Sequence, residues 1–147
     1  MRSSYLEQNS GAGGFLNPVE QIQADRTLDA VADSGKEFYL DSAAGAVAIT
    51  LPTSLKAGTN YKFVVQEHTP TAAITIAAGS AILWGRILEG EVDTGDDADG
   101  SNVNGTGDSN LIIGVNAVKG DYVEFCCDGS GWYYDGVAAL DGKWTNS

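Results

Sequence analysis

The chain is short of the residues that most chemistry-bearing sites need. It has one histidine, His68, which excludes a His–His zinc pair and an HExxH helix. That histidine lies in "QEHTP" beside Pro70, a turn phrase that reads as polar surface. The only two cysteines, Cys126 and Cys127, are adjacent. Strand neighbours point to opposite faces, so the pair reads as two packed thiols and needs no oxidising compartment. Basic residues are few and scattered: eight against twenty acids, a net charge of −12. Phosphate backbones are bound by clustered Lys and Arg, so neither nucleic acid nor an anionic membrane is expected as a partner. No apolar run approaches the roughly 18 residues of a membrane-spanning helix. The opening "MRSSYLEQNSGAGGF" lacks the apolar core and cleavage pattern of a secretory signal. There is no GxSxG elbow, and "GAGG" neither follows a strand nor opens a helix, so it reads as a hinge and not a phosphate cradle.

Glycine, by contrast, is abundant, with 19 among 147 residues, and points to many turns and no long helices. The length is that of one domain. From Gln21 onward, short runs rich in β-branched and aromatic residues alternate with Gly, Pro, Ser and Asn punctuation. They are "RTLDAVAD", "EFYLD", "AVAITL", "NYKFVVQE", "AAITIA", "AILWGRIL", "LIIGVNAV", "DYVEFCC" and "GWYYDGV". The tail "VAALDGKWTNS" reads as a last extension carrying Trp144. About eight or nine strands at roughly ten-residue spacing predict an all-β protein, a single antiparallel β-sandwich or barrel-like domain over residues 21–147. Residues 1–20 read as an extended N-terminal arm. Its apolar anchors Tyr5, Leu6, Phe15 and Leu16, with Arg2 and Glu7 as rim charges, are the candidate partner-binding residues.

The acidic stretch Val92–Asn110, "VDTGDDADGSNVNGTGDSN", is the best place to look for a metal. An EF-hand loop needs a glycine at its sixth position and a glutamate at its twelfth. Counted from Asp97, the glycine comes at the fourth position, Gly100; counted from Asp93, the third position is Gly95, and neither register supplies the glutamate. The stretch therefore reads as a long solvated connection, with Asn104–Gly105 as a tight turn within it. No metal and no cofactor is expected. Glycosidase chemistry needs only two carboxylates at a set separation, and twenty acids supply such pairs by chance. Nothing singles one pair out, so no catalytic residue is named and no enzyme is expected.

The ordered phrases "ADRTLDAVADSGKEFYLDSAAGAVAITLP", "GTNYKFVV", "AAITIAAG", "EVDTGDD" and "KGDYVEFCCDGSGWYYDG" span Ala24 to Gly136. Together they resemble the head decoration, or cement, proteins of tailed phages, to which β-domains of phage fibres are related. The resemblance implies a β-sandwich-like homotrimer on the outer surface of the virion's capsid, made in the host cytoplasm. There it would bind the major capsid protein across capsomer junctions and stabilise the head. It transfers no catalytic motif. The alternative is a fibre or host-attachment domain, with Trp132, Tyr133, Tyr134 and Trp144 stacking on sugars. The absence of a repeat or coiled-coil shaft favours the head.

Overall fold

Period-two alternation decides which side of each run meets the interior. In the run Asn60–Val65, Tyr61, Phe63 and Val65 are buried, while Asn60, Lys62 and Val64 face outward. Trp132–Ala138 alternates the same way along its whole length. The computed structural model describes residues 18–67, 70–79, 81–90, 102–115, 117–140 and 143–147. Among these there are twelve strands and no helix.

The strands are β1 (Val19–Ile22), β2 (Arg26–Thr27), β3 (Glu37–Leu40), β4 (Val47–Thr50), β5 (Asn60–Val65) and β6 (Ile74–Ala77). They continue with β7 (Leu83–Glu89), β8 (Asn102–Asp108), β9 (Asn110–Ile113), β10 (Tyr122–Cys127), β11 (Trp132–Ala138) and β12 (Trp144–Asn146). They form a seven-stranded sheet in the order β1-β3-β5-β10-β11-β7-β8 and a five-stranded sheet in the order β12-β9-β6-β4-β2. The two-sheet, all-β class is the one expected.

The pairing is mixed, where antiparallel sheets were expected. From β1 to β7 the chain changes sheet at every connection. As a result β1, β3 and β5 lie parallel in one sheet, and β2, β4 and β6 lie parallel in the other. Each corner, "SAAG" or "KAG" for example, carries the chain across the sandwich instead of back along the same sheet. Turn residues suit either kind of bend, so the punctuation marked the corners without revealing their direction. The second half is mostly antiparallel: β10 inserts between β5 and β11, and β8 pairs with β7. Strands β8 and β9 are one path that bends between sheets at Ser109. There the backbone N–H groups of Ser109 and Asn110 both donate to the Ser147 carbonyl, at 2.8 and 2.9 Å.

Three local expectations are corrected. "RTLDAVAD" is extended only at Arg26–Thr27, then turns. Asp29 Oδ1 accepts from the Val31 and Ala32 N–H groups (2.7 and 2.8 Å), and Asp33 Oδ2 accepts from Asp29 N–H, so carboxylates replace a ladder. "LIIGVNAV" ends as a strand at Ile113, because Gly114 N–H donates to Lys143 O and the chain turns there. The acidic connection is shorter than expected, since Asn102–Asp108 is strand β8, and Asn104–Gly105 is no turn but pairs with Arg86 and Gly85.

The core lies between the sheets. On the inner side of the larger sheet the rings of Phe38, Phe63, Phe125 and Tyr134 touch in series, with centroids 5.6, 5.7 and 5.6 Å apart. Tyr61 stacks on Trp132 at 5.6 Å. They pack in one cluster with Ile49, Ile74, Ile76, Leu111 and Ile113 of the smaller sheet. At the β1 edge a half-buried ion cluster joins the sheets. Asp33 holds Arg26 at 2.9 Å and Lys36 at 2.7 Å, both of which also reach Glu20, while the Arg26 guanidinium lies 5.1 Å over the Phe38 ring. Burial pushes the Asp33 carboxyl upward, but the Asp29 N–H, Lys36 and Arg26 outweigh it and hold it below the usual aspartate range.

Candidate functional site

The arm residues Arg2, Tyr5, Leu6, Glu7, Phe15 and Leu16 lie outside the described residues, as do His68, Asp93, Asp96, Asp97 and Asp99. The acidic stretch is represented by Asp108 alone of its five aspartates. Its Oδ2 accepts from Thr106 N–H at 2.9 Å and from Asn146 Nδ2 at 2.7 Å, so it ties β8 to β12. Among the described residues no three His, Cys, Asp or Glu converge as metal ligands would. The two thiols are free and point apart, Cys126 exposed and Cys127 buried.

Of the four rings offered for sugar stacking, Trp132, Tyr134 and Trp144 are core residues. Tyr133 alone faces solvent. Its register partner on β7 is Trp84, also exposed.

That pair belongs to the most distinctive surface of the molecule, the outer face of the seven-stranded sheet. Register aligns its outward residues in rows. One row is charged: Glu37, Lys62, Glu124, Asp135, Arg86 and then Asn104. Beside it runs an apolar row of Tyr39, Val64, Tyr122, Val137 and Leu88. On the other side lie Asn60, Cys126, Tyr133, Trp84 and Thr106. Ile82, Trp84, Leu88, Tyr133 and Val137 are each 39–43% exposed, and they make up five of the nine large apolar residues exposed among those described. A groove of about 710 Å³ opens on this face, lined by Glu37, Asn60, Lys62, Glu124, Tyr133 and Asp135 among others.

The charged row is only loosely paired. Lys62 Nζ lies 3.6 Å from Glu37 and 5.4 Å from the Tyr122 ring, and Arg86 Nε lies 3.4 Å from Asp135. Tyr39 donates its hydroxyl to Glu37 at 2.8 Å, and that bond to a carboxylate raises the phenol above its ordinary value. Arg86 and Asp135 are largely exposed, so their pairing contributes little in isolation and both remain open to groups on another molecule. Chemically the face offers aromatic and aliphatic contact area flanked by ions of both signs, which suits binding a surface.

The sequence carried one signal of this face. "AILWGRIL" is apolar in both phases of the alternation, with Ile82, Trp84 and Leu88 in one and Leu83 and Ile87 in the other. Alternation alone does not say which phase lies inside.

No protein-family model matches the chain, and a search of curated proteins found no match.

Proposed function

We propose that this chain is a structural protein of a phage virion, a decoration or cement protein that binds the outside of the head as a homotrimer. The observation that carries this reading is the ordered run of phrases from Ala24 to Gly136, which resembles that class over most of the chain. The two-sheet all-β domain and the charge of −12 agree with it, because an acidic protein is better placed outside a shell of packaged DNA than within. The arm supplies the capsid contacts: Tyr5, Leu6, Phe15 and Leu16 as anchors, with Arg2 and Glu7 at the rim. Three weak contacts carried on one trimer bind tightly, since after the first the others become intramolecular. A trimer seated across a capsomer junction thereby resists the outward pressure of the genome.

The test mixes the purified chain with heads assembled without it, followed by sedimentation and cryo-electron microscopy. Saturable density at three-fold positions outside the shell is expected; heads that stay bare overturn the proposal. A chain lacking residues 1–18 should fold and fail to bind, and full occupancy by it would remove the arm from the mechanism.

A fibre or host-attachment role is the second reading, favoured by the neighbouring exposed rings of Tyr133 and Trp84. Glycan-array binding that is lost in Trp84→Ala would establish it over decoration.

A further inference from the structure

We infer that the outer face of the seven-stranded sheet, centred on β7, β11 and β10, is where copies of this chain meet one another. The inference rests on the homo-oligomeric part of the reading above and names the surface that makes the oligomer.

A strand that is apolar in both phases is the signature of a sheet covered on both sides. On β7, Leu83 and Ile87 point inward and are fully buried, while Ile82, Trp84 and Leu88 point outward and are exposed. On β11, Trp132, Tyr134 and Ala138 are inside, and Tyr133 and Val137 are outside. Tyr122 and Val64 continue the outward stripe onto β10 and β5. The smaller sheet covers the inner side; among the described residues, nothing covers the outer side.

Size distinguishes the two outer faces. Seven strands at about 4.8 Å spacing, several of them six or seven residues long at about 3.3 Å per residue, make a face roughly 30 by 20 Å. That is about 600 Å² per copy before the relief of protruding side chains, against the roughly 800 Å² per partner of a standard stable interface, and around a three-fold axis two neighbours share it. The five-stranded sheet has strands of only two to four residues. It turns Thr27, Ala48, Thr50, Thr75, Ala77, Ile112 and Thr145 outward, with no ring among them.

Charge selects the occupant. Two copies of a chain at −12 repel over most of their surface. Among the described residues the charged row across the large face is close to neutral: it holds Glu37, Glu124 and Asp135 against Lys62 and Arg86, with Asp128 beside Tyr133 at its margin. A strongly acidic partner such as a second copy is least repelled there, and the open Arg86 finds carboxylates equivalent to Glu124 and Asp135 on its neighbour. Around a three-fold axis, the same face of each copy points inward and touches both others.

The tryptophans make the test direct. Trp84 is exposed, whereas Trp132 and Trp144 are buried at 0% and 1%, so acrylamide quenching of the dissociated full chain reads Trp84 alone. The full chain should have a solution mass about three times 15.3 kDa, with Trp84 shielded from acrylamide in the oligomer and exposed on dilution. Leu88→Glu combined with Val137→Glu should reduce the mass threefold, and Ala48→Glu on the opposite face should leave it unchanged. A monomeric wild type, a Trp84 fully quenchable in the oligomer, or dissociation by Ala48→Glu and not by the double variant overturns the inference. The dilution experiment decides the matter even if the double variant does not fold. Head binding by the same proteins separates the two ideas. An oligomer formed through this face that ignores heads sinks decoration alone, and a monomer that binds heads sinks this interface alone.

Discussion

At the residue scale, the informative groups are carboxylates that hold backbone in place. Asp121 is buried; its Oδ2 accepts from Val118 N–H and its Oδ1 from Ala139 N–H, both at 2.9 Å. It thereby pins the turn before β10 to the end of β11. Asp121→Ala leaves both donors without their carboxylate partner, and each such bond to a charged group contributes about 1.5–3 kcal/mol. A loss of about 3 kcal/mol in urea unfolding is expected; a change under 1 kcal/mol would mean that water replaces the carboxylate. Asp41 and Glu67 make a different kind of pair, two carboxyl groups against each other. Glu67 is raised by burial and then by Asp41, while Asp41 is lowered by the neighbouring Glu67 carboxyl, by Ala43 N–H and by Gln23. A glutamate raised on folding stabilises below its unfolded value, near 4.5, and that contribution is lost as pH rises through the folded value. Asp41 has the opposite sign: its contribution is present above about 3.8 and lost as pH falls through the depressed value. Glu67→Gln removes the charge beside Asp41 at nearly the same size. It should raise Tm at pH 7 and change it little at pH 4, and equal shifts at both would contradict the pairing.

At the scale of the element, the strands legible in the sequence are those whose alternation is filled by large side chains, such as Asn60–Val65 and Trp132–Ala138. Strand β8, "NVNGTGD", was not legible, because Gly, Asn and Asp are depleted in strands and read as loop. Gly105 in β8 and Gly85 in β7 serve close approach. A Cβ at Gly105 would come within 2.6 Å of the Tyr134 hydroxyl, and one at Gly85, where φ is +154°, would overlap the Tyr134 carbonyl oxygen. Tyr134 thus fills the space that two neighbouring strands leave empty. Gly105→Ala meets the outer end of the Tyr134 side chain and not backbone, and should cost about 1–3 kcal/mol. Gly85→Ala meets backbone in a conformation that side chains rarely adopt, so it should cost more. Chemical denaturation of the two variants gives the order; if Gly105→Ala proves the more damaging, the Tyr134 ring and not the β7–β11 backbone is the tighter contact.

For the whole molecule, what the sequence left hidden was direction and partnership. Corner residues such as "SAAG" show where the chain bends but not whether it returns along the same sheet, so the parallel half of the fold was invisible. The apolar outer phase of "AILWGRIL" was equally ambiguous, and expectation settled on the arm anchors Tyr5, Leu6, Phe15 and Leu16. The structure adds a second surface, whose character decides how copies should respond to salt. If apolar contact at Trp84, Leu88, Tyr133 and Val137 drives assembly, the −12 charge on each copy opposes it, and added salt screens that repulsion. Association should then tighten between about 0.02 and 0.5 M sodium chloride, as the screening length falls from roughly 20 Å to a few ångström. If ion pairs between Arg86 or Lys62 and a neighbour's carboxylates hold the copies instead, the same change weakens them. Sedimentation equilibrium across that range reads the sign directly. The near-neutral row in the middle of a strongly acidic chain predicts tightening, because the repulsion that salt removes lies over the rest of the surface while the apolar contact it leaves intact lies on this face.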